Sequence, residues 1–373
     1  RSEIGLLRLK EIGLKNFRNL IQVNFQPQAG LNIISGANAQ GKTNLLEAVY
    51  FLATTTSFRS GKESNLINHQ ASCCSVQAYY QKENREIESR ISLDREKGKV
   101  FAINSKKAHR HHADRLRVVL FTPDDLYLIK GSPARRRDFL DFALTQLSRP
   151  YAYELSNYQG LLKRRNEMLR KGQGMSRVFD ITDELFVKSA AEVVLSRIRF
   201  VYRLQEAAKS IYQRLGGEAE SLHLRYALSF PVDSDKINLD ILKQALLQTG
   251  HEKRSLEIMR KASLLGPHLD DLNIYVGDKL ARLFASQGQQ RILAIVLKLA
   301  ELYAFADIKG FYPLFLLDGV LAELDQNHKP LLLQELSQAD YQSFLTSVET
   351  ISVIPNQASN FLVKKGIIVR KEK

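Results

Sequence analysis

Residues 36–43 read Gly36-Ala37-Asn38-Ala39-Gln40-Gly41-Lys42-Thr43, which matches GxxxxGK[ST] at every fixed position. A short apolar run, Leu31 to Ser35, leads into this stretch. Apolar residues then follow at helical spacing, at Leu45, Leu46, Val49 and Leu52. In a glycine-rich turn between a strand and a helix, backbone N–H groups point at phosphate oxygens and the helix dipole adds positive potential. The stretch therefore predicts a P-loop whose eight residues bind a nucleotide.

Three side chains have the chemistry that a nucleoside triphosphate requires. The Lys42 ammonium can reach the β- and γ-phosphates, and the Thr43 hydroxyl can ligate Mg²⁺. A P-loop also needs an acidic metal ligand, usually an aspartate at the end of a buried strand. The apolar run 313–317 ends in Asp318. We therefore expect ATP and Mg²⁺ as ligands, Lys42 and Asp318 as catalytic residues, and Thr43 and Asp318 as metal ligands.

A third polar motif lies between these two elements. Residues 285–291 read Ala-Ser-Gln-Gly-Gln-Gln-Arg and precede an apolar helical pattern. They resemble the signature motif of ABC ATPases, which is normally Ser-Gly-Gly-Gln at a helix N-terminus. Unpaired N–H groups at such an end suit the γ-phosphate of a nucleotide held by another subunit. We expect an ATP-sandwich homodimer in which the nucleotide contacts come from Ser286, Gln287, Gly288, Gln289 and Gln290.

The periodicity of apolar residues changes along the chain. Strand patterns fill the first hundred residues, where Ile21, Val23 and Phe25 alternate with polar residues. Helical spacing begins at about Pro133 and predicts helices over 153–169 and 186–215. A strand at 222–228 and a helix at about 235–247 follow, and mixed α/β character returns after about Gly266.

These patterns predict an α/β fold in which a helical lobe is inserted into a P-loop head. The resemblance of residues 285–291 to the ABC signature implies that this head is of the ABC-ATPase, SMC-like type. Residues 1–122 form the N-terminal half of the head in this interpretation, and residues 123–250 form the lobe. Residues 251–373 form the C-terminal half, which carries the signature motif and Asp318. The run Leu314 to Leu317 is a buried strand of the kind found inside parallel sheets.

Composition favours a polyanionic partner. The 373 residues carry 54 Lys and Arg against 40 Asp and Glu, a net charge of +14. Neutralising phosphates with such cations releases condensed counterions. No apolar run reaches the roughly 18 residues of a membrane span, so the sequence predicts a cytoplasmic protein with no membrane partner. The candidate DNA-facing residues are Lys106, Lys107, Arg110, Arg115, Arg117, Arg135, Arg136, Arg137, Lys163, Arg164, Arg165, Arg197, Arg199 and Arg203.

Several further segments resemble the RecF family. They are Leu14–Leu20, Thr56–Arg59, Phe121–Asp125, Gly131–Pro133, Arg135–Arg137, Gly266–Asp271 and Ala285–Arg291. The resemblance covers nearly the whole chain. SMC-type chromosome proteins are the nearest alternative, but very long heptad coiled coils join the halves of their heads. The insert in this chain has no sustained heptad array, which fits the RecF family better.

The resemblance implies a nucleotide-dependent homodimer that binds double-stranded DNA. It implies that the dimer works with RecR, in the RecO and RecA pathway, at gapped DNA, where it helps RecA replace single-strand-binding protein. It further implies slow, DNA-stimulated ATP hydrolysis used as a switch during recombinational repair and replication-fork maintenance.

Two positions depart from the family pattern. After the first aspartate the family has a second, the usual candidate for activating the attacking water, whereas this chain has Gly319. The nearest other acid is Glu323, in a segment that resembles the D-loop. Two alternatives stay open: a slow ATPase, or a nucleotide-binding DNA module whose hydrolysis is largely lost. Leu269 replaces an arginine, which removes either a phosphate contact or an ion pair.

Overall fold

The computed structural model describes residues 5–59, 61–217, 222–232, 236–348 and 358–371. The chain divides into two compact units. Unit 1 contains Arg1–Asp125, Ile211–Glu218 and Gln287–Lys373, and unit 2 contains Leu126–Ser210 and Ala219–Ser286. The head and lobe boundaries expected after residues 122 and 250 stay a prediction.

Strands dominate the N-terminal part of the chain and return towards its C-terminal end. In the N-terminal part they are β1 (Leu7–Phe17), β2 (Leu20–Phe25), β3 (Leu31–Ser35), β4 (Cys73–Lys82), β5 (Arg85–Asp94), β6 (Gly98–Ile103), β7 (Lys106–Lys107) and β8 (Val118–Phe121). Further along they are β9 (Leu222–Ala227), β10 (Asp271–Val276), β11 (Lys279–Leu280), β12 (Leu314–Leu317), β13 (Ser343–Ser347), β14 (Ser359–Lys364) and β15 (Ile367–Lys371).

The longest α-helix has 38 residues and lies in the middle of the chain. The helices are α1 (Lys42–Thr54), α2 (Tyr127–Lys130), α3 (Pro133–Leu147), α4 (Arg149–Arg170), α5 (Arg177–Arg214), α6 (Leu239–Arg260), α7 (Ala281–Phe284), α8 (Gln287–Lys309), α9 (Val320–Glu323) and α10 (His328–Ser337). Short 3₁₀ helices cover Glu63–Leu66 and Pro123–Leu126.

Unit 1 contains two six-stranded sheets. The first has the order β2-β1-β4-β5-β6-β7 and is antiparallel throughout. Its side chains alternate between buried and exposed, as expected for strands with one covered face. Val23 and Phe25 are buried as the alternation predicts, but Ile21 is 64% exposed because Leu20 occupies the buried position at that end of β2.

The second sheet of unit 1 has the order β15-β14-β3-β13-β12-β8. Its pairs are parallel except for the antiparallel pair β14–β15. Strands β3, β8, β12 and β13 are buried at every residue. Such continuous burial is typical of a parallel sheet covered on both faces, as predicted for β12.

Unit 2 combines helices with a three-stranded antiparallel sheet of order β11-β10-β9. The helices expected over 153–169 and 186–215 are α4 and α5, with earlier starts. Helix α6 continues to Arg260, well beyond the expected end near residue 247. The sequence Thr249-Gly250 resembles the end of a helix, but both residues are buried within α6. Packing therefore keeps this stretch helical. The expected start at Asp235 lies outside the described residues.

Candidate nucleotide-binding site

The P-loop and Asp318 meet at one edge of the parallel sheet. The P-loop follows β3 and Asp318 follows β12, with β13 between these strands. Because parallel strands end at the same edge, residues distant in sequence come together there. Thr43 Oγ1 donates a hydrogen bond of 2.9 Å to Asp318 Oδ1. The structure therefore joins the two residues predicted to ligate Mg²⁺.

Strand β13 contributes a residue that the sequence patterns did not single out. Thr346 Oγ1 donates to Asp318 Oδ1 at 2.7 Å and accepts from the Gly319 backbone N–H at 2.9 Å. The backbone N–H of Asp318 donates to Phe121 O of β8 at 2.9 Å. Asp318 is thus held from two neighbouring strands. A positioned carboxylate and a hydroxyl are hard oxygen donors, and this donor chemistry fits Mg²⁺.

Glycine is required at two positions of the loop. Gly36 has φ +151°, in the region that side chains rarely adopt. A Cβ atom at this position would lie 2.4 Å from Val363 O of β14. Gly41 has φ +114° at the N-cap of α1, where a Cβ would meet the Leu20 side chain at 2.8 Å. Local steric constraints therefore explain why both of these motif positions are glycine.

The Lys42 side chain spans the loop. Its Nζ donates to Gly36 O at 2.6 Å and to Ala37 O at 2.8 Å. Burial lowers the pKa of Lys42, and the nearby Asp318 carboxylate opposes that shift. Hydrogen bonds from an ammonium to phosphate are stronger than those to neutral carbonyls. A triphosphate in the loop could therefore replace these carbonyl partners.

Neighbouring elements fix the rest of the loop. Ala37, Asn38 and Ala39 are exposed. Ala39 O accepts a hydrogen bond of 3.1 Å from Asn19 Nδ2. Gln40 contacts the turn between β14 and β15, where its Oε1 accepts from the Lys365 N–H at 2.6 Å. The loop is thus held on both sides while its tip stays open to solvent.

A buried glutamate in α1 links two segments with RecF-like sequence to the P-loop helix. Glu47 is fully buried and accepts two hydrogen bonds from Arg18, at 2.9 and 2.7 Å. Ser57 Oγ donates to the same carboxylate at 2.6 Å, and Arg59 Nη1 lies 3.6 Å from it. The two segments therefore have a structural role that accounts in part for their RecF-like sequence. Their side chains pair with the buried Glu47 carboxylate behind the P-loop.

The signature-like segment begins helix α8. Ser286 directly precedes the helix, which starts at Gln287. Ser286, Gln287 and Gly288 are exposed, whereas Gln289 and Gln290 are half-buried. The first backbone N–H groups of a long helix suit an anion. The role of these five residues across a dimer stays a prediction.

Comparison with known proteins shows to which family this chain belongs. The family model described as the RecF/RecN/SMC N terminal domain matches residues 8–365. The DNA replication and repair protein RecF of Streptococcus thermophilus is 36% identical over 369 residues, which cover 98% of this chain and 99% of that protein. The chain belongs to the RecF family.

Solved structures agree with membership of the RecF family. The recombination mediator protein RecF with ATP, in the RecFOR pathway, aligns with a TM-score of 0.86 at 28% identity over 98% of each chain. The Smc head domain of Pyrococcus furiosus, with an extended coiled coil and bound to the C-terminal domain of ScpA, aligns with a TM-score of 0.57. Its identity is 16% over 98% of this chain and 97% of that chain, so it shows the fold alone. The predicted α/β, SMC-like head is confirmed.

The structure shows the surroundings of the two positions that depart from the RecF pattern. Gly319 has φ +65°, and the nearest atom to a built Cβ is Pro123 Cγ at 3.9 Å. A side chain at this position has room, although the backbone conformation suits only a few residue types. Leu269 lies in unit 2 with 46% of its surface exposed.

Four of the candidate DNA-facing residues are buried, so their predicted role is wrong. Arg115, Arg136, Arg165 and Arg197 are between 0% and 4% exposed. Arg165 pairs with Asp183 and Glu257, and Arg136 and Arg197 form bidentate pairs with Asp271 and Asp141. Consecutive residues on a helix point about 100° apart, so a run such as Arg135–Arg137 cannot face one partner as a block.

Two of the site residues that sequence reasoning missed carried a visible signal. Glu47 is the only charged residue after Lys42 in the apolar helix α1, and Thr346 is a polar residue in the fully buried strand β13. A polar group in a buried element needs a partner, so each position indicated a nearby hydrogen-bonding group. Gln40 was predicted as a P-loop residue, but its contact with the β14–β15 turn was not, because that contact depends on sheet order.

Proposed function

We propose that this chain acts in DNA replication and repair as an ATP-dependent clamp. In this proposal, ATP and Mg²⁺ occupy the P-loop, and the signature segment of a second copy closes over the γ-phosphate. The closed homodimer binds double-stranded DNA near gaps and works with RecR, in the RecO and RecA pathway, to promote RecA loading. Membership of the RecF family supports each of these roles.

The hydrogen bond between Thr43 Oγ1 and Asp318 Oδ1 carries the proposal. Thr43 and Asp318 would hold Mg²⁺, which would supply positive charge to the phosphates of the nucleotide. Lys42 would place a second positive charge on the same phosphates. The chain's own residues thus select a triphosphate over an uncharged ligand.

Exposed cations support the binding of DNA through its phosphates. Eight of the candidate residues are exposed: Lys106, Lys107, Arg110, Arg135, Lys163, Arg164, Arg199 and Arg203. Contacts of this kind give affinity that falls with salt and little sequence preference. In the part of the chain that the structure describes, no helix combines the length and apolar character needed to cross a bilayer.

Sedimentation with and without ATP-Mg²⁺ and a short DNA duplex tests the clamp. We expect a dimer that forms only with ATP, binds the duplex and is lost in Lys42→Met. Lys62→Met is the matched control, because Lys62 is exposed and lies outside the loop. A protein that stays monomeric and ignores the duplex under every condition would exclude the clamp.

Gly319 favours a second candidate function, a DNA-binding module that closes on ATP and scarcely hydrolyses it. A glycine offers no base at the position where the family has its second aspartate. Glu323 does not replace it readily, because its carboxylate lies 3.5 Å from the Arg291 guanidinium in an ion pair. ATP would then stabilise the closed dimer without driving its release.

Restoring the acid separates the two candidates. If the chain is a module of this kind, Gly319→Asp raises ATP turnover by about 100-fold or more, the usual contribution of a general base. Gly319→Asn is the matched control, because it imposes the same backbone cost of about 1 kcal/mol without a base. Equal turnover in the wild-type protein and both variants would assign water activation to another residue.

A further inference from the structure

Strand β15 forms one end of the parallel sheet of unit 1. It pairs with β14 on one side, and among the described residues no strand pairs with its other side. Such an edge presents a row of unpaired backbone N–H and C=O groups, which can pair with another chain. Edge strands of native proteins are usually blunted by short length, charge or burial.

Two other edges of the sheets of unit 1 carry such protection. Strand β7 consists of two lysines, and β8 is buried at every residue. Strand β15 also carries cations, but it differs in presenting apolar side chains, because Ile367 is 65% exposed and Val369 is 57% exposed. Residues two apart on a strand share a face, so these β-branched side chains form an exposed apolar row beside the unpaired backbone.

The opposite face of β15 borders a groove. Its volume is about 300 Å³, and its lining residues are Asn24, Phe25, Gln26, Gln28, Phe361, Ile368 and Arg370. The Phe25 and Phe361 rings pack edge to face, with centroids 4.9 Å apart. The groove thus combines an apolar floor with amide groups that can donate and accept hydrogen bonds.

The described residues of β14, β15 and the turn between them carry only positive charge. Lys364, Lys365, Arg370 and Lys371 are exposed. Residues 358–371 contain no aspartate or glutamate. DNA phosphates would use these cations but neither the apolar row nor the unpaired backbone. An extended acidic peptide uses all three features, because its backbone pairs with the edge while alternate side chains meet Ile367 and Val369.

We propose that β15 is a docking edge for an extended acidic segment of a partner protein. The segment adds to the sheet as a further strand. Its apolar side chains lie on Ile367 and Val369, and its carboxylates pair with Arg370 and Lys371. None of these four residues belongs to the P-loop or to the exposed cations proposed to contact DNA.

Fluorescence anisotropy on the full chain tests this docking edge. The probe is a labelled peptide of about ten residues, the length of a long strand, with alternating glutamate and valine. We expect saturable binding that becomes about tenfold weaker in the double variant Ile367→Thr/Val369→Thr, which keeps β-branching but removes apolar contact. Arg370→Gln/Lys371→Gln should also weaken binding and reduce its salt dependence.

Matched controls distinguish peptide binding at β15 from nonspecific binding to other exposed apolar or basic residues. Val100→Thr alters an exposed valine of β6, and Arg170→Gln/Lys171→Gln alters an exposed basic pair at the end of α4. Both should leave peptide binding unchanged. A peptide of the same composition with two central prolines should not bind, because proline removes backbone donors.

Three results would overturn the proposal. The first is equal binding of the proline-containing peptide, and the second is binding unaffected by Ile367→Thr/Val369→Thr. The third is an absence of peptide binding; weaker DNA-duplex binding in Arg370→Gln/Lys371→Gln would then make this edge a nucleic-acid contact. Circular dichroism of each variant checks that the sheet is retained.

Discussion

The P-loop site of unit 1 and the helices of unit 2 use charged side chains in opposite ways. In unit 1, the Lys42 ammonium bonds two backbone carbonyls at the foot of an open loop, and Asp318 accepts from two hydroxyls. In unit 2, the Arg165 guanidinium is fully buried and donates to Asp183, Glu257 and Ser263. Neutral partners can be exchanged for a ligand, whereas buried counter-ions cannot. Similar residue types therefore build a binding site in one unit and an internal crosslink in the other.

Removing the buried arginine should have the largest effect on stability. Arg165→Ala leaves Glu257, which is fully buried, without its counter-ion. Breaking such a pair costs about 3–5 kcal/mol. Thermal and urea unfolding should show a large loss. Arg164→Ala, at the exposed neighbouring position, should change the unfolding free energy by less than about 0.5 kcal/mol. Equal losses of unfolding free energy in the two variants would show that the buried arginine is no more important for stability than its exposed neighbour.

The buried glutamate of unit 1 should be the next most costly to change. Glu47→Gln keeps the shape but removes the charge that binds Arg18, so we expect a loss of about 2–3 kcal/mol in unfolding free energy. ATP affinity, measured by titration calorimetry, should fall as well, because Glu47 lies in the helix that begins within the P-loop. In the control Glu63→Gln, which alters a half-exposed pair with Lys99, both quantities should stay near wild type.

The pH dependence of stability should report on His268 of unit 2. Burial lowers the pKa of His268 to about 4, and Tyr158 OH lies 2.6 Å from its Nδ1. In the unfolded chain the pKa is near 6.5, so between about pH 6.5 and 4 the unfolded state binds more protons than the folded state. This residue therefore lowers stability as the pH falls through that window, by at most about 3 kcal/mol.

His268→Gln should flatten the pH dependence of the urea midpoint between about pH 6.5 and 4. His109→Gln, at an exposed position, should leave the slope as it is in the wild-type protein. The buried Asp270 acts in the opposite sense, because burial raises its pKa and favours its protonated form in the folded state. A slope that survives His268→Gln would show that other groups set it.

The smallest effect is expected at the surface of unit 1. The Arg291 and Glu323 side chains form an ion pair of 3.5 Å that is 41% and 21% exposed. Pairs of this kind contribute about 0–1 kcal/mol. A double-mutant cycle of Arg291→Ala and Glu323→Ala should give a coupling free energy in this range. A coupling above about 2 kcal/mol would mean that this pair behaves like the buried pairs of unit 2.

Local patterns predicted the site residues that share a short segment. The P-loop could be read from spacing alone, and Asp318 from its place after an apolar run. The partner of Thr346 and the role of Val363 could not be predicted, because both depend on β13 and β14 flanking β3. Strand order in a sheet follows from long-range packing, which periodicity does not report.

The fold class followed from periodicity, while the exposure of the arginines did not. Counting the basic residues of a helix suggests an exposed face, but the count ignores the angle at which each residue leaves the helix axis. Within one turn of α4, Lys163 and Arg164 are exposed, whereas Arg165 is fully buried. The acidic partners of Arg165 lie on other helices, so its burial could not be read from α4 alone.

The order of strands in the parallel sheet also bears on synthesis of the protein. Strand β3 leaves the ribosome long before its neighbours β13 and β14, which lie more than 300 residues further along the chain. At elongation rates of about 5–20 residues per second the interval is roughly tens of seconds. Throughout that time the apolar strand before the P-loop lacks both of its pairing partners. We therefore expect the P-loop of a growing chain to lack its supporting sheet, and the apolar strand before it to be a substrate for chaperones, until β13 and β14 emerge.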